Sequence, residues 1–205
     1  MPDHYYTQTP TSAHKPGQVD FLWRGAKLVF ETDSGVFSRT EIDKGTEILL
    51  NALPEELTGS LLDMGCGYGV IGVTLGKRYP GLSVVMSDVN ERAVELSRRN
   101  AQRNGVPARV MQSDGYADVP FQRTDWIVQN PPIRAGKSVI YAMFAEGARR
   151  LEPSGELWLV IRKQQGAESA VRYLKTLFGR VEAVSKKGGF WVLRCTQPAE
   201  RPDEE

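Results

Sequence analysis

Histidine and cysteine are scarce, two of each in 205 residues. His4 and His14 both fall in the polar opening segment, and Cys66 and Cys195 lie far apart without ligand spacing. Neither a metal site nor a histidine-based nucleophilic triad is therefore expected. Long apolar runs are also missing: none approaches the roughly 18 residues of a membrane span. The start Met1-Pro2-Asp3-His4 is too polar for a secretory leader. No membrane contact and a cytoplasmic setting are the expectations. Excess charge of either sign is absent, with 26 Lys and Arg against 25 Asp and Glu. Composition thus gives no sign of a generally basic nucleic-acid binder, although it leaves room for a local basic patch. A hydrophobic share of 40% and a charged share of 25% suit a globular chain. The length suits one domain with a full core.

What the sequence does have is the stretch Leu61-Leu62-Asp63-Met64-Gly65-Cys66-Gly67-Tyr68-Gly69-Val70-Ile71-Gly72. An apolar run ends in an acid, a glycine-rich turn follows, and then a helix begins. Glycines at alternate positions let a ligand approach the backbone, and amides opening the helix suit a negatively charged group. Cys66 fills a place that needs a small residue. The carboxylate of Asp63 at the strand end favours a positive or hydrogen-bond-donating group. A ligand cationic at one end and rich in hydroxyls elsewhere fits, and S-adenosylmethionine is such a molecule. Gly67, Gly69 and Gly72 also satisfy the dinucleotide pattern G-x-G-x-x-G. There the first glycine should directly follow the strand, a place held here by Gly65. A strand-to-helix turn without a ligand is the third reading.

Along the chain, residues 1–18 show no periodicity and read as a polar arm. Val19–Trp23 and Lys27–Thr32 flank Arg24-Gly25-Ala26 as a β-hairpin. After the turn Asp33–Ser38, a helix is expected over Glu41–Leu53, ahead of Pro54. Residues 19–58 form this N-terminal hairpin and helix, expected to cover the site. Residues 59–196 then alternate strands and helices. The strands are Leu61–Met64, Ser83–Ser87, Arg109–Gln112, Asp125–Gln129 and Glu156–Ile161. The helices are Val70–Tyr79, Glu91–Asn104, Val139–Leu151 and Ala167–Phe178, with Glu152-Pro153-Ser154-Gly155 as a turn. Arg180–Val184 and Phe190–Cys195 follow, joined through Ser185-Lys186-Lys187-Gly188-Gly189. The pattern predicts an α/β fold: a Rossmann-like, doubly wound seven-stranded sheet whose last strand is antiparallel. Residues 197–205 read as a disordered tail.

Ligands of such sheets sit at the carboxyl ends of the strands, so the residues there are read together. The first strand ends at Asp63-Met64-Gly65, the second at Asp88-Val89-Asn90 and the third at Ser113-Asp114-Gly115. The fourth ends at Gln129-Asn130-Pro131-Pro132-Ile133. Asp88 lies about twenty residues beyond the glycine turn, where an acid can take two ribose hydroxyls. Singly, Asp88 and Asp114 could be helix caps and Asn-Pro-Pro a loop stiffener. Acids ending three consecutive strands, with Asn-Pro-Pro at the fourth, favour one shared site.

The set Asp63-x-Gly65-x-Gly67-x-Gly69, Asp88, Asp114 and Asn130-Pro131-Pro132 resembles the class I methyltransferases that modify planar nitrogen. Gly35-Val36-Phe37-Ser38, Asp43-x-Gly45-Thr46 and Asn130-Pro131-Pro132 resemble, within them, the ribosomal RNA small-subunit guanine-N2 methyltransferase group. The resemblance covers about residues 19–195. It implies that Asp63 and the glycines hold the methionine part of S-adenosylmethionine, Asp88 the ribose hydroxyls and Asp114 the adenine amino group. Cys66, Val89, Asn90, Ser113 and Gly115 belong to the same cofactor segments. It also implies that Asn130 and the Pro131 carbonyl hold the substrate amine. Two acceptors on its hydrogens favour pyramidal nitrogen and aim the lone pair, and the prolines set that geometry in advance. The family commonly has an aromatic residue where this chain has Ile133, so Phe37, or Trp23 or Tyr6, would supply a ring against a flipped base.

Arg134, Lys137 and Lys163 lie in segments expected on the ligand edge, where they could receive RNA phosphates or form a solvated rim. Lys186-Lys187-Gly188-Gly189 reads as a turn, and Arg98, Arg99 and Arg103 as a solvated helix face. The expected activity is methyl transfer to an amine of an RNA base, with ribosomal RNA or ribosomal particles as partner and a monomer or homodimer as the unit. The rivals are a protein glutamine methyltransferase, a nicotinamide-dependent oxidoreductase and a non-catalytic RNA-binding module. Some members of the group carry a duplicated partner domain, for which 205 residues leave no room.

Overall fold

A computed structural model describes residues 8–9, 11–120 and 123–199. The expectations for Tyr6 and for the segment after Ala199 fall outside the described residues. β1 (Gly17–Trp23) and β2 (Ala26–Thr32) form the expected hairpin around Arg24-Gly25. α1 (Lys44–Ala52) follows, shorter at its start than Glu41–Leu53 because the Asp43 side chain accepts from the Thr46 N–H and caps it there.

The alternating region runs β3 (Ser60–Met64), α2 (Val70–Arg78), β4 (Ser83–Asp88), α3 (Glu91–Arg103), β5 (Ala108–Gln112) and β6 (Thr124–Gln129). It continues with α4 (Lys137–Arg149), β7 (Leu151–Arg162), α5 (Ala167–Leu174), β8 (Phe178–Lys187) and β9 (Phe190–Pro198). Seven strands make one sheet in the order β5-β4-β3-β6-β7-β9-β8. β9 is antiparallel to both of its neighbours, as expected for the last strand, so β8 runs parallel to β7. Three local expectations are corrected. Glu152-Pro153-Ser154-Gly155 is an excursion within β7, since Leu151 pairs with Thr124 and Glu156 already pairs with Trp126. β8 begins at Phe178, which lies opposite Pro198, so β9 takes in Gln197 and Pro198 that had been assigned to a tail. The hairpin turn is only Gly188-Gly189, and Lys186 and Lys187 belong to β8.

Each face of the sheet buries its own apolar cluster. On one face lie α1, α2, α3 and the hairpin, through Leu49, Val73, Leu96, Phe30 and Leu28. On the other lie α4 and α5, through Phe144, Ile140, Ala170 and Leu174. Packing is close enough that a β-carbon on Gly72 would lie 2.6 Å from Met86. No helix of the described residues is long and apolar enough to cross a membrane.

The hairpin is held by two asparagines four residues apart, Asn100 on α3 and Asn104 at its C-terminal cap. Asn100 Oδ1 accepts from Glu31 N–H at 2.7 Å, and its Nδ2 donates to the Glu31 carbonyl at 3.0 Å. Asn104 does the same to Val29, at 3.0 and 2.9 Å. A rise of ~6 Å over four helical residues matches the ~6.6 Å over two strand residues, so two amides imitate a neighbouring strand. Asn100 Nδ2 also donates to the Tyr68 carbonyl at 2.8 Å, joining the hairpin to the glycine-rich turn. Arg99 and Arg103, expected as a solvated face, reach across to Glu31.

Asn100→Ala leaves the Glu31 peptide groups and the Tyr68 carbonyl without this partner. It is expected to cost about 3 kcal/mol of stability, read by urea unfolding. An unchanged midpoint would show that the amide contributes nothing net.

Candidate functional site

A cavity of about 490 Å³ opens at the carboxyl ends of β3, β4, β5 and β6. Its floor is the turn Gly65-Cys66-Gly67-Tyr68. The amides of Gly65 and Cys66 both donate to the Ser87 carbonyl, at 2.8 and 3.0 Å, which lays the turn across the end of β4. Gly65 and Gly67 have φ of 72° and 57°, which side chains other than glycine adopt with strain. A β-carbon on either would meet no atom within 4 Å, so the missing side chains leave space for a ligand.

Asp88 forms one wall. Its Oδ2 accepts from Gly67 N–H at 2.8 Å and its Oδ1 from Asn90 N–H at 2.9 Å. With the Val89 amide also bonded to the carboxylate, one of its roughly four lone pairs is left for a hydroxyl. Burial raises its pKa from 3.8 to about 6, and the amides of Asn90, Gly67 and Val89 hold it from rising further. Val89, Ser113, Asp114 and Gly115 also line the cavity.

Three predicted residues do their work elsewhere. Asp63 is fully buried and turned under the turn, where Oδ2 accepts from Gly72 N–H at 2.8 Å and Oδ1 has no partner among the described residues. Burial raises its pKa to about 7, opposed by the Gly72 amide and reinforced by Asp88. Asn90 is buried as the cap of α3, accepting from the Arg92 and Ala93 amides while Nδ2 donates to the Gly35 carbonyl. Gly69 caps α2 and lies against Ser97. Cys66 does line the cavity, but burial and the charges of Asp88 and Asp63 keep it a thiol.

The far end is built around Asn130, whose Nδ2 donates to Asp43 Oδ2 and Thr46 Oγ1, both at 3.0 Å. With both amide hydrogens engaged by α1 and its cap, Oδ1 is left as the acceptor. Pro132 lines the cavity beside it. Pro131 is buried and its carbonyl already accepts from Ile133 N–H at 2.9 Å, leaving one lone pair. Ile133 packs against the core of the α4 face and does not line the cavity, so it has no ring-facing place. Arg134, Lys137 and Lys163 are exposed and outside the cavity wall. Lys137 Nζ lies 5.9 Å from the Tyr141 ring.

Phe37 is 38% exposed on the cavity wall beside Val36 and Ser38. Trp23 is buried in the hairpin with Nε1 donating to Asn51, and supplies no ring here. Sequence reasoning missed Asp43 and Thr46 as cavity residues, and also Tyr68, Ala135, Val139 and Met143. The first two were visible as a family motif, but only the fold puts them against Asn130.

The residues present suit S-adenosylmethionine: an open glycine floor, an acid on the cavity wall with acceptor capacity to spare, and a polar rim at Asp114. Because the Asp88 carboxyl is raised to about 6, its anion, the better acceptor, is lost as pH falls through that value. Affinity for the cofactor is expected to weaken about tenfold from pH 7 to pH 5 by single-proton linkage, and Asp88→Asn should flatten the profile. For the ligand-free fold the sign is opposite. Asp63 and Asp88 bind protons more tightly folded than unfolded, so their contribution to stability falls between pH 4 and 7. Calorimetric titration and thermal melts over this range check both; a pH-independent affinity would remove Asp88 from the ligand.

The family model described as methyltransferase small domain matches residues 27–194. An uncharacterised Bacillus subtilis protein, YbxB, is 44% identical over 198 residues, covering 95% of this chain and 98% of that one. The ribosomal RNA small subunit methyltransferase C of Hahella chejuensis is 42% identical, covering 77% of this chain and 49% of its own length. Among solved structures, the T. thermophilus 16S rRNA N2 G1207 methyltransferase in complex with AdoMet and guanosine superposes with a TM-score of 0.81 at 27% identity. That match covers 92% of this chain and 52% of the other. The chain thus spans about half the length of the methyltransferase C relatives.

Proposed function

This chain belongs to the methyltransferase small-domain family and is an S-adenosylmethionine-dependent methyltransferase; on that premise we propose that it methylates an exocyclic amine of an RNA base, guanine N2 of small-subunit ribosomal RNA. The observation that carries this reading is the orientation of Asn130. Its amide hydrogens are held by Asp43 and Thr46, so its oxygen is set to accept from a substrate amine.

S-adenosylmethionine, when bound, supplies a methyl group activated by a positively charged sulfur. Gly65, Gly67 and Asp88 would hold it, with Asp114 at the adenine end. Asn130 Oδ1 and the remaining lone pair of the Pro131 carbonyl would each accept one hydrogen of a planar amine. That arrangement draws the nitrogen toward pyramidal geometry and directs its lone pair into the cavity. Pro131 and Pro132 hold the backbone so that little reorganisation remains when the amine arrives. Phe37, Val139 and Met143 supply an apolar wall on which a flat base can lie while water is displaced. The name of the Hahella relative supports small-subunit ribosomal RNA as substrate, and the name of the T. thermophilus relative, with the guanosine bound to it, supports the choice of base.

The test is transfer of labelled methyl groups to ribosomal RNA, naked and as small-subunit particles, and to protein. Label is expected in RNA as N2-methylguanosine, with Asn130→Ala lowering turnover about a hundredfold. Label in protein alone would overturn the RNA reading. Thr46→Val releases one amide hydrogen without touching the Asp43 cap bond to the Thr46 N–H. It should lower kcat about tenfold while cofactor affinity stays unchanged. Phe37→Ala is expected to raise the KM for RNA severalfold with kcat nearly constant; a pure kcat effect would place the ring elsewhere.

A further inference from the structure

The turn Gly188-Gly189, set aside as a turn in the sequence, lies on the edge of the sheet that carries the site. β8 is parallel to β7, so it ends at Lys187 on the same edge as Arg162, and β9 starts back from there. Both turn glycines have positive φ, 58° and 80°, which gives the two-residue hairpin a tight, twist-matched tip. The Lys163 N–H donates to the Gly189 carbonyl at 2.9 Å, tying the segment after β7 to it.

Five cations gather here: Lys44, Arg162, Lys163, Lys186 and Lys187. All are exposed, and none forms an ion pair among the described residues. Arg98, Arg99 and Arg103 on α3, by contrast, face Glu95 or Glu31. Two of the five are steadied by rings that do not cancel their charge. Arg162 stands 4.5 Å over Phe190, and Lys186 Nζ 4.0 Å over Trp191. The nearby acids do not neutralise the patch. Asp43 is turned inward to Thr46 and Asn130, and Glu47 and Glu168 pair with none of the five.

The patch adjoins the amine site through direct contacts. A β-carbon on Gly45 would lie 2.8 Å from the Phe190 ring and 2.9 Å from Asp43 Oδ2, the atom that holds Asn130. One on Gly188 would lie 3.6 Å from Lys44 Cε. Arg134 and Lys137 follow Asn130 on the α4 face; Lys187 and Arg162, paired with Phe190, stand with Lys44 on the α1 face, and Lys186, paired with Trp191, stands on the α4 face, so the cations straddle the sheet edge.

We propose that the β8–β9 hairpin tip, with Lys44, Arg162 and Lys163, is the docking surface for the RNA backbone flanking the target base. This rests on the RNA reading above. Compact ammonium groups on flexible stems suit phosphates presented in varied geometry, and the shared edge lets a strand cross them while its base enters the cavity. The test measures RNA binding against salt for the wild type, for Lys186→Ala with Lys187→Ala, and for Arg98→Ala with Arg99→Ala. The lysine pair should lower the log–log salt slope by about 1.4, two contacts at ~0.7 each on single-stranded RNA. It should also raise the KM for RNA, with S-adenosylmethionine affinity and melting temperature unchanged. The arginine pair should match the wild type. A lysine pair with wild-type slope and KM overturns the docking surface while the RNA activity stands. A loss of slope in the arginine pair equal to that in the lysine pair also overturns it. Wild-type protein that labels no RNA removes the substrate reading itself.

Discussion

Much of this molecule hangs on the amide of Asn100. It lies fully buried between three pieces of chain and satisfies backbone groups on two of them: both peptide groups of Glu31 and the carbonyl of Tyr68. Tyr68 belongs to the cavity floor and Glu31 to the hairpin, so one side chain fixes their separation. A buried polar group is costly unless satisfied, and here that cost is what makes the arrangement specific. No apolar residue of similar size could set the same register, because burial alone does not distinguish one strand offset from another.

The site is correspondingly a product of two segments that are distant in sequence. The sheet edge supplies the glycine floor, Asp88 and the Asn130 loop. The segment before the sheet supplies Phe37, Asp43 and Thr46. Asp43 has two tasks on one oxygen, capping α1 and holding the Asn130 amide, so local helix formation and amide orientation are the same event. Asp63 and Asp88 are pushed up by burial, and Asp88 raises Asp63 further. A ligand that donates hydrogen bonds or carries positive charge therefore relieves a tension already present in the fold.

The alternation of apolar strands with amphipathic helices was legible because the central strands β3, β4 and the second half of β7 are buried on both faces and read as apolar runs. The strand ends therefore bring Asp88, Asp114 and Asn130 to one cavity. Direction of side chains was not legible. Asp63 and Asn90 carry the right chemistry at the right strand ends, yet a helix amide captures the first and a helix cap the second. Proline and glycine at 153 and 155 suggested a break, whereas the parallel pairing resumes beyond a four-residue excursion. Gln197 and Pro198 looked like tail because Phe178, the partner of Pro198, precedes the strand as read from composition. The hairpin lysines were dismissed because their place depends on the direction of β8, a property of the whole sheet.

One asymmetry in the docking of the hairpin bears on how such a chain can diversify. Asn100 and Asn104 grip the main chain of Glu31 and Val29, Asn90 the carbonyl of Gly35, and the Tyr68 hydroxyl the carbonyl of Ser38. On the hairpin side these bonds use atoms that every residue type possesses. The gripping positions are thus bound to their identities, while positions 29 and 31 can exchange side chains without releasing these bonds; Gly35 and Ser38, at φ of 75° and 53°, are held to the few residue types that accept that backbone. The outer strand of the hairpin can therefore vary on a mount that does not depend on its side chains, while the segment that leads into the cavity wall keeps its course.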